Sequence, residues 1–261
     1  MEAKAECIRK LENWANIKTY HRFDKPSFDP KRMSSEIETF SPKLATLLDK
    51  IDLLDKQDME KDNKHYKHFI FSDVKKGGYG AKIIASGMIS RGYHPCFTPS
   101  GAIKIPEKHK DKKTLGILSS TTLYDSPISQ KKIKQILGIY NERPNNIFGD
   151  QLRFIIFDSG FKEGIDLFDV KYVHIFEEQN TSADLTQAVG RATRSCGQKG
   201  LEFVPNKGWD LHVYQYYSVL DDNVRLFDTY LKYKGVDLNE NKIRENVERL
   251  AIFSAVDHDL N

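Results

Sequence analysis

Residues 152–176 read LRFIIFDSGFKEGIDLFDVKYVHIF. Two short apolar runs, Leu152–Phe157 and Tyr172–Phe176, flank a loop of small, polar and charged residues. Runs of this length, rich in Phe, Ile and Val, predict strands buried on both faces, the pattern of a parallel sheet. Working outward, further strands are expected at His68–Ser72, Leu115–Ser119 and Leu211–Tyr217. Helical stretches are expected at Tyr79–Arg91, Ser129–Tyr140, Ser182–Thr193 and Asp222–Tyr233. The alternation predicts an α/β fold, a parallel sheet of about five or six strands with helices on both faces.

The flanks are read less directly. Ile8, Leu11, Trp14 and Ala15 have helical spacing, and His21–Ser35, rich in Pro, Asp, Lys and Arg, reads as an extended connector. Ser41 and Pro42 open a helix whose buried face is Leu44, Leu47, Leu48, Ile51 and Leu54, followed by a charged loop, Asp55–Lys67. Pro95–Lys113 is a long polar insertion, and Ile243, Val247, Leu250 and Ala251 mark a last amphipathic segment. The expected division is therefore an N-terminal helix and connector over 1–40, the α/β body over 41–235, and a C-terminal amphipathic helix over 236–261.

Composition excludes several classes. A hydrophobic fraction of 39% over 261 residues is that of a globular chain, and no apolar run approaches membrane length. Net charge is only +3, so a nucleic-acid signal must be local, and the basic clusters Lys104–Lys113 and Lys131–Lys134 read first as solvated faces. Cys7, Cys96 and Cys196 are far apart with no C-x-x-C, which argues against a disulfide framework or a zinc site and for a reducing compartment. The pairs His65/His68 and His94/Cys96 lack partners at ligand spacing, so no metal site is expected.

Two strings carry chemistry. Gln187-Ala188-Val189-Gly190-Arg191-Ala192-Thr193-Arg194, read as helix, places two guanidiniums at i and i+3 on one face. Forked cations that stay charged suit a polyphosphate, whereas two isolated arginines would be solvated side chains. The second string, Phe157-Asp158-Ser159-Gly160-Phe161-Lys162-Glu163-Gly164-Ile165-Asp166-Leu167, follows a strand, and loops there bind ligands in open α/β sheets. Its small residues permit close backbone approach to a phosphate or sugar, and Asp166 offers an acceptor for a ribose hydroxyl; the plainer reading is a glycine-rich turn.

Together and in this order, the strings resemble motifs V and VI of superfamily 2 helicases, whose patterns include G-x-D and Q-x-x-G-R-x-x-R. Lys67–Ser72, with Gly77-Gly78-Tyr79-Gly80 after it, looks like motif IV of the same lobe. Tyr140–Asp150, and Val173–Glu177 beyond the motif V strand, are similar to helicases of large nucleocytoplasmic DNA viruses of the poxvirus nucleoside triphosphatase I and early-transcription-factor ATPase types, with asfarvirus and giant-virus relatives. The resemblance covers roughly Ser41–Tyr217. It departs at Arg194-Ser195-Cys196-Gly197-Gln198-Lys199, where many relatives carry a Ser-His pair.

The resemblance implies the second RecA-like lobe of a motor whose first lobe supplies the P-loop and Mg²⁺ ligands for ATP. Arg191 and Arg194 would be its arginine fingers, Gln187, Gly164 and Asp166 would contact ATP, and Ser72, Asp158, Ser159 and Gly160 would line a DNA or RNA track. The implied partners are nucleic acid, the first lobe and viral transcription machinery, with no membrane. The implied location is the virion and the cytoplasmic viral factory, or an intracellular soluble compartment outside a virus. Gly78-Tyr79-Gly80-Ala81-Lys82 fails the P-loop spacing because Ile83 replaces the Mg²⁺-binding hydroxyl, and Glu177-Glu178 comes too late for an acidic box. The chain alone is thus expected not to hydrolyse ATP. Two rivals stand beside this reading: a non-catalytic binding module and a small kinase using Lys82. The motif reading places the Gly160–Leu167 loop and the start of the Ser182–Thr193 helix at one edge of the sheet.

Overall fold

A computed structural model describes residues 20–74, 80–100, 102–105, 112–161, 165–179, 182–194, 196–219 and 225–235, with 243, 246 and 247. The expected first helix lies outside the described residues, as does most of the C-terminal segment. The chain enters through α1 (Pro30–Phe40) and α2 (Pro42–Asp62). The α1 helix corrects the reading of His21–Ser35 as an extended connector. Asp29 caps it, accepting from the backbone N–H groups of Lys31 and Arg32 at 3.1 and 3.0 Å, with Pro30 in the first turn. Residues that look like breakers are here a helix start. In α2, Ser41 is the cap and Leu44, Leu47, Leu48, Ile51 and Leu54 are buried, as their spacing predicts. The helix runs on to Asp62, through much of the expected loop, because Asp55 and Asp58 are drawn inward by Arg153 and by Lys171 and Tyr172.

Next come β1 (Lys67–Ser72), α3 (Ala81–Ser90), β2 (His94–Pro95), β3 (Thr114–Leu118), α4 (Gln130–Tyr140), β4 (Phe154–Asp158), β5 (Val170–Ile175) and α5 (Ser182–Val189). The hairpin β6 (Phe203–Val204) and β7 (Gly208–Trp209), then β8 (His212–Gln215) and α6 (Leu226–Tyr233), complete the described elements. Six strands form one parallel sheet in the order β2-β3-β4-β1-β5-β8. The α/β sheet is as expected; the two-residue edge strand β2 and the β6–β7 hairpin are too short to show a period. No helix among the described residues is long and apolar enough to cross a membrane.

The four inner strands are buried along their whole length. One face carries His68, Phe154 and His174, covered by α2 and by Tyr93 after α3, whose ring meets Phe154 edge-on at 5.0 Å. The opposite face carries Gly116 and Ile155 and receives α4. A Cβ on Gly116 would lie 3.0 Å from Ile136 Cγ2, so glycine lets helix and sheet approach.

A polar row runs through the first face. Arg153, fully buried, holds Asp55 with two bonds of 2.9 and 2.7 Å. His68 Nε2 faces Asp55 at 3.5 Å, His68 Nδ1 meets His174 Nε2 at 3.0 Å, and His174 Nδ1 meets the Tyr216 hydroxyl at 2.8 Å. Burial pushes both histidines below their ordinary value. One tautomer set serves neutral rings: Tyr216 donates to His174, His174 to His68, and His68 points its N–H at Asp55.

Candidate functional site

Parallel pairing decides where the two strings fall. Asp158 ends β4 level with Ser72, whereas Val170 begins β5 level with Lys67. The 159–169 connection therefore crosses the sheet from its carboxyl edge to its amino edge, about 17 Å at ~3.3 Å per residue. This corrects the expectation that the loop sits at one edge with the start of the following helix. Its first residues lie at the carboxyl edge, and its last residues meet the end of that helix.

At the carboxyl edge, Asp158 is buried and saturated. Oδ2 accepts from Ser119 Oγ (3.0 Å), the Ser120 N–H (2.6 Å) and Ser120 Oγ (3.0 Å), while Oδ1 accepts from the Gly160 N–H (2.9 Å). Ser159, also buried, donates to the Asp73 carbonyl at 3.0 Å, and Ser72 Oγ accepts from the Val74 N–H at 3.4 Å. The expected track residues are thus brought together, but Ser72, Asp158 and Ser159 face inward and Gly160 alone of the four is exposed. Polar residues at a strand end look the same in sequence whether they face solvent or tie loops together. The exposed hydroxyls beside them belong to Ser120 and Thr122, which the sequence reading did not single out.

Toward the amino edge the two strings touch. Arg194 Nε pairs with Asp166 Oδ1 at 2.9 Å, both side chains about half exposed (52% and 55%). The Leu167 N–H donates to the Arg191 carbonyl at 2.9 Å, and Arg191 Nη1 approaches the Ile165 carbonyl at 3.5 Å. The helix does not carry the arginines, which corrects the expectation of two guanidiniums on one helical face. It ends at Val189, and the backbone tightens to three-residue turns, Arg191 N–H to Ala188 and Ala192 N–H to Val189. Arg191 is consequently buried (5% exposed) and Arg194 is outside. Gln187 is exposed on the last turn of α5, and Gly164 lies outside the described residues.

Lys82 settles one rival. It is buried in α3 and paired with Asp24 at 3.0 Å, with Arg22 on the same carboxylate at 2.9 Å, so it is not presented to a phosphate. Among the described residues no group of three or more His, Cys, Asp or Glu is placed to hold a metal ion, and Cys96 and Cys196 are free thiols.

No family model matches the chain. Over 106 residues it is 28% identical to a protein of Acanthamoeba polyphaga mimivirus that is named as an ATP-dependent RNA helicase, covering 41% of this chain and 12% of the relative. A second mimivirus protein named in the same way is 33% identical over 76 residues, 29% of this chain and 13% of the relative. The killer plasmid pGKL-2 helicase of Kluyveromyces lactis is 30% identical over 93 residues, 36% of this chain and 14% of the relative. The matched stretch thus spans about an eighth of the length of these relatives. Among solved structures, the C-terminal part of the Fun30 ATPase domain superposes with a TM-score of 0.40 at 16% identity, over 67% of this chain and 41% of that one. The Pyrococcus furiosus Hef helicase domain gives 0.37 at 13% identity, over 74% and 28%. Superpositions this loose bear no weight, and the sequence matches, each over part of the chain, make it similar to helicases.

Proposed function

We propose that this chain is the second motor lobe of a superfamily 2 nucleic-acid-dependent ATPase, a helicase or translocase working in the transcription or replication of a large DNA virus. The observation that carries the reading is the Asp166–Arg194 pair, with the Leu167–Arg191 backbone bond beside it. It joins two strings that the motif order assigns to one nucleotide edge. The mimivirus relatives favour the viral setting.

Bound ATP supplies the phosphoryl group, and a first lobe supplies its cradle and Mg²⁺ ligands. This chain's residues fit the remaining half of such a site. Arg194 stays charged, is half exposed, and is held by Asp166 ready to be shared with phosphate oxygens. A fixed cation at that point stabilises charge that grows during transfer and needs no reorganisation when it does. Asp166, half exposed, is free on its outer side to accept a ribose hydroxyl. Arg191, buried against the Ile165 carbonyl, ties the loop that carries Asp166 and is the weaker candidate for a finger. Gly160 and Ser120 give their donors to Asp158, so at this edge the exposed Thr122 hydroxyl is left to offer a contact to a sugar-phosphate chain, one that positions without reading sequence.

The test is the Mg²⁺-dependent ATPase of the full-length protein, with single-stranded DNA, duplex DNA and RNA as stimulators. Arg194→Ala is expected to lower kcat by about 10³-fold with nucleic-acid binding retained, and Arg194→Lys to restore little because a point charge lacks the planar fork. A folded Arg194→Ala protein with wild-type kcat would refute the reading. The isolated chain is expected to show no Mg²⁺-dependent turnover, and turnover by a clean preparation would overturn the assignment of a missing half.

A further inference from the structure

The Tyr140–Asp150 string forms no part of the Asp166–Arg194 pair, yet its first residues touch the backbone beside both members, at 166–169 and at 196–197. Asn141 follows the last turn of α4. Its Nδ2 donates to the Asp166 carbonyl at 2.8 Å, and its Oδ1 accepts from the Phe168 N–H at 2.9 Å. Arg143 reaches the other side. Its Nε and Nη2 grip Asp169 at 2.7 and 2.8 Å, and Nη2 also donates to the carbonyls of Gly197 (2.5 Å) and Cys196 (3.3 Å).

Asp169 is the hub. It is fully buried, sits in the left-handed region (φ 55°), accepts a further bond from the Gly200 N–H at 2.9 Å, and donates its own N–H to Gly197 at 2.8 Å. Gly200 is needed for this approach, since a Cβ there would lie 2.8 Å from Asp169 Oδ1. The 166–169 segment is therefore stapled to 141–143 on one side and to 191–200 on the other. The Arg143 guanidinium spans the two, 4.8 Å above the Phe168 ring.

We propose that Asn141 and Arg143 are positioning residues for the nucleotide edge, setting the distance and orientation between Asp166 and Arg194 although neither touches nucleotide. The inference rests on the function proposed above. The bland alternative, a surface fork that merely stabilises the fold, predicts lower stability with unchanged kinetics in the folded fraction. The geometry predicts more. Releasing the Asp166 carbonyl shifts an acceptor directed at ribose, and releasing Gly197 shifts the turn after Arg194. Displacements of about 1 Å at a reacting centre lower rates by up to about a hundredfold.

Arg143→Ala strands the buried Asp169 carboxylate, so the informative variants are Arg143→Lys, which keeps the charge but loses the fork, and Asn141→Ala, at a half-buried position. Both would be made in the full-length protein beside Asp166→Ala and Arg194→Ala. The readouts are kcat and KM for ATP and 2′-deoxy-ATP, nucleic-acid affinity, and melting temperature. Arg143→Lys is expected to lower kcat about tenfold or more, and Asn141→Ala to raise KM for ATP and narrow the preference for ATP over 2′-deoxy-ATP. Nucleic-acid affinity should be unmoved in both. If Asp166→Ala and Arg194→Ala impair turnover while Asn141→Ala and Arg143→Lys change only the melting temperature, the positioning role is overturned and the site reading survives. If neither Asp166→Ala nor Arg194→Ala affects turnover, both fall together.

Discussion

Asp158 shows what a sequence string leaves open about a single residue. An Asp at a strand's end, followed by Ser and Gly, has the chemistry of a ligand contact, but here its carboxylate takes four donors from inside the protein. Removing it would take the acceptor from the Ser120 and Gly160 N–H groups and leave the Ser119 hydroxyl with Thr121 as its partner. Asp158→Ala is therefore expected to destabilise the fold by about 3 kcal/mol, the scale of losing bonds to a buried charge. Denaturant unfolding measures this, and a change within ~0.5 kcal/mol, the scale of a substitution at an ordinary surface position, would mean the carboxylate faces solvent after all. Lys82 is the reverse case. Its spacing already excluded a P-loop, and its partner Asp24 lies 58 positions away, where no local reading finds it. Arg194 and Asp166 were legible as candidates from their strings; that they pair was not, because nothing in a string fixes which way a loop crosses a sheet.

At the scale of elements, what the sequence reveals follows from what each element answers to. The buried strands and the start of the Ser41-capped helix answer to burial and a local cap, so spacing predicts them within one or two residues, whereas the far end of that helix, at Asp62, answers to the distant partners of Asp55 and Asp58. The end of α5 answers to another element. The Arg191 carbonyl accepts from Leu167 in the neighbouring loop, and the turns tighten after Val189 although the residue pattern continues with helical spacing. The α1 helix was hidden for a different reason, since Pro30 and Asp29 serve equally as breakers and as a start signal. The contact between α4 and β3 yields a prediction at this scale. Gly116→Val would place a branched side chain where a single Cβ is already 3.0 Å from Ile136 Cγ2. Despite the higher strand propensity of valine, overpacking is expected to cost about 1–3 kcal/mol, read as a lower unfolding midpoint. A stabilised Gly116→Val protein would show that α4 can move away from the sheet freely.

Across the whole molecule, the features hardest to read are buried polar groups whose partners are distant in sequence. Arg153 and Asp55 are separated by 98 positions, and His68 and His174 by 106. In sequence the histidines look like ordinary strand residues; the fold makes them the middle of a hydrogen-bonded row. That row gives stability a direction with pH. Both histidines titrate below their ordinary value when folded, so below about pH 6.5 the unfolded chain binds protons that the native one does not. Stability is then lost as pH falls. Lys67 extends the trend at the alkaline side. It is fully buried, donates to the Tyr140 carbonyl at 2.7 Å, and burial pulls its amine from 10.5 down to about 7. Between pH 7 and about 10.5 the unfolded chain again carries the extra proton, so stability rises with pH. Two variants separate the windows. His174→Gln should flatten the fall between pH 7 and 5, and Lys67→Met should flatten the rise between pH 7 and 10. Unfolding midpoints for the three proteins across that range decide it. A wild-type profile parallel to both variants would mean that water reaches these groups in the native state and that the sheet's polar row is not sealed.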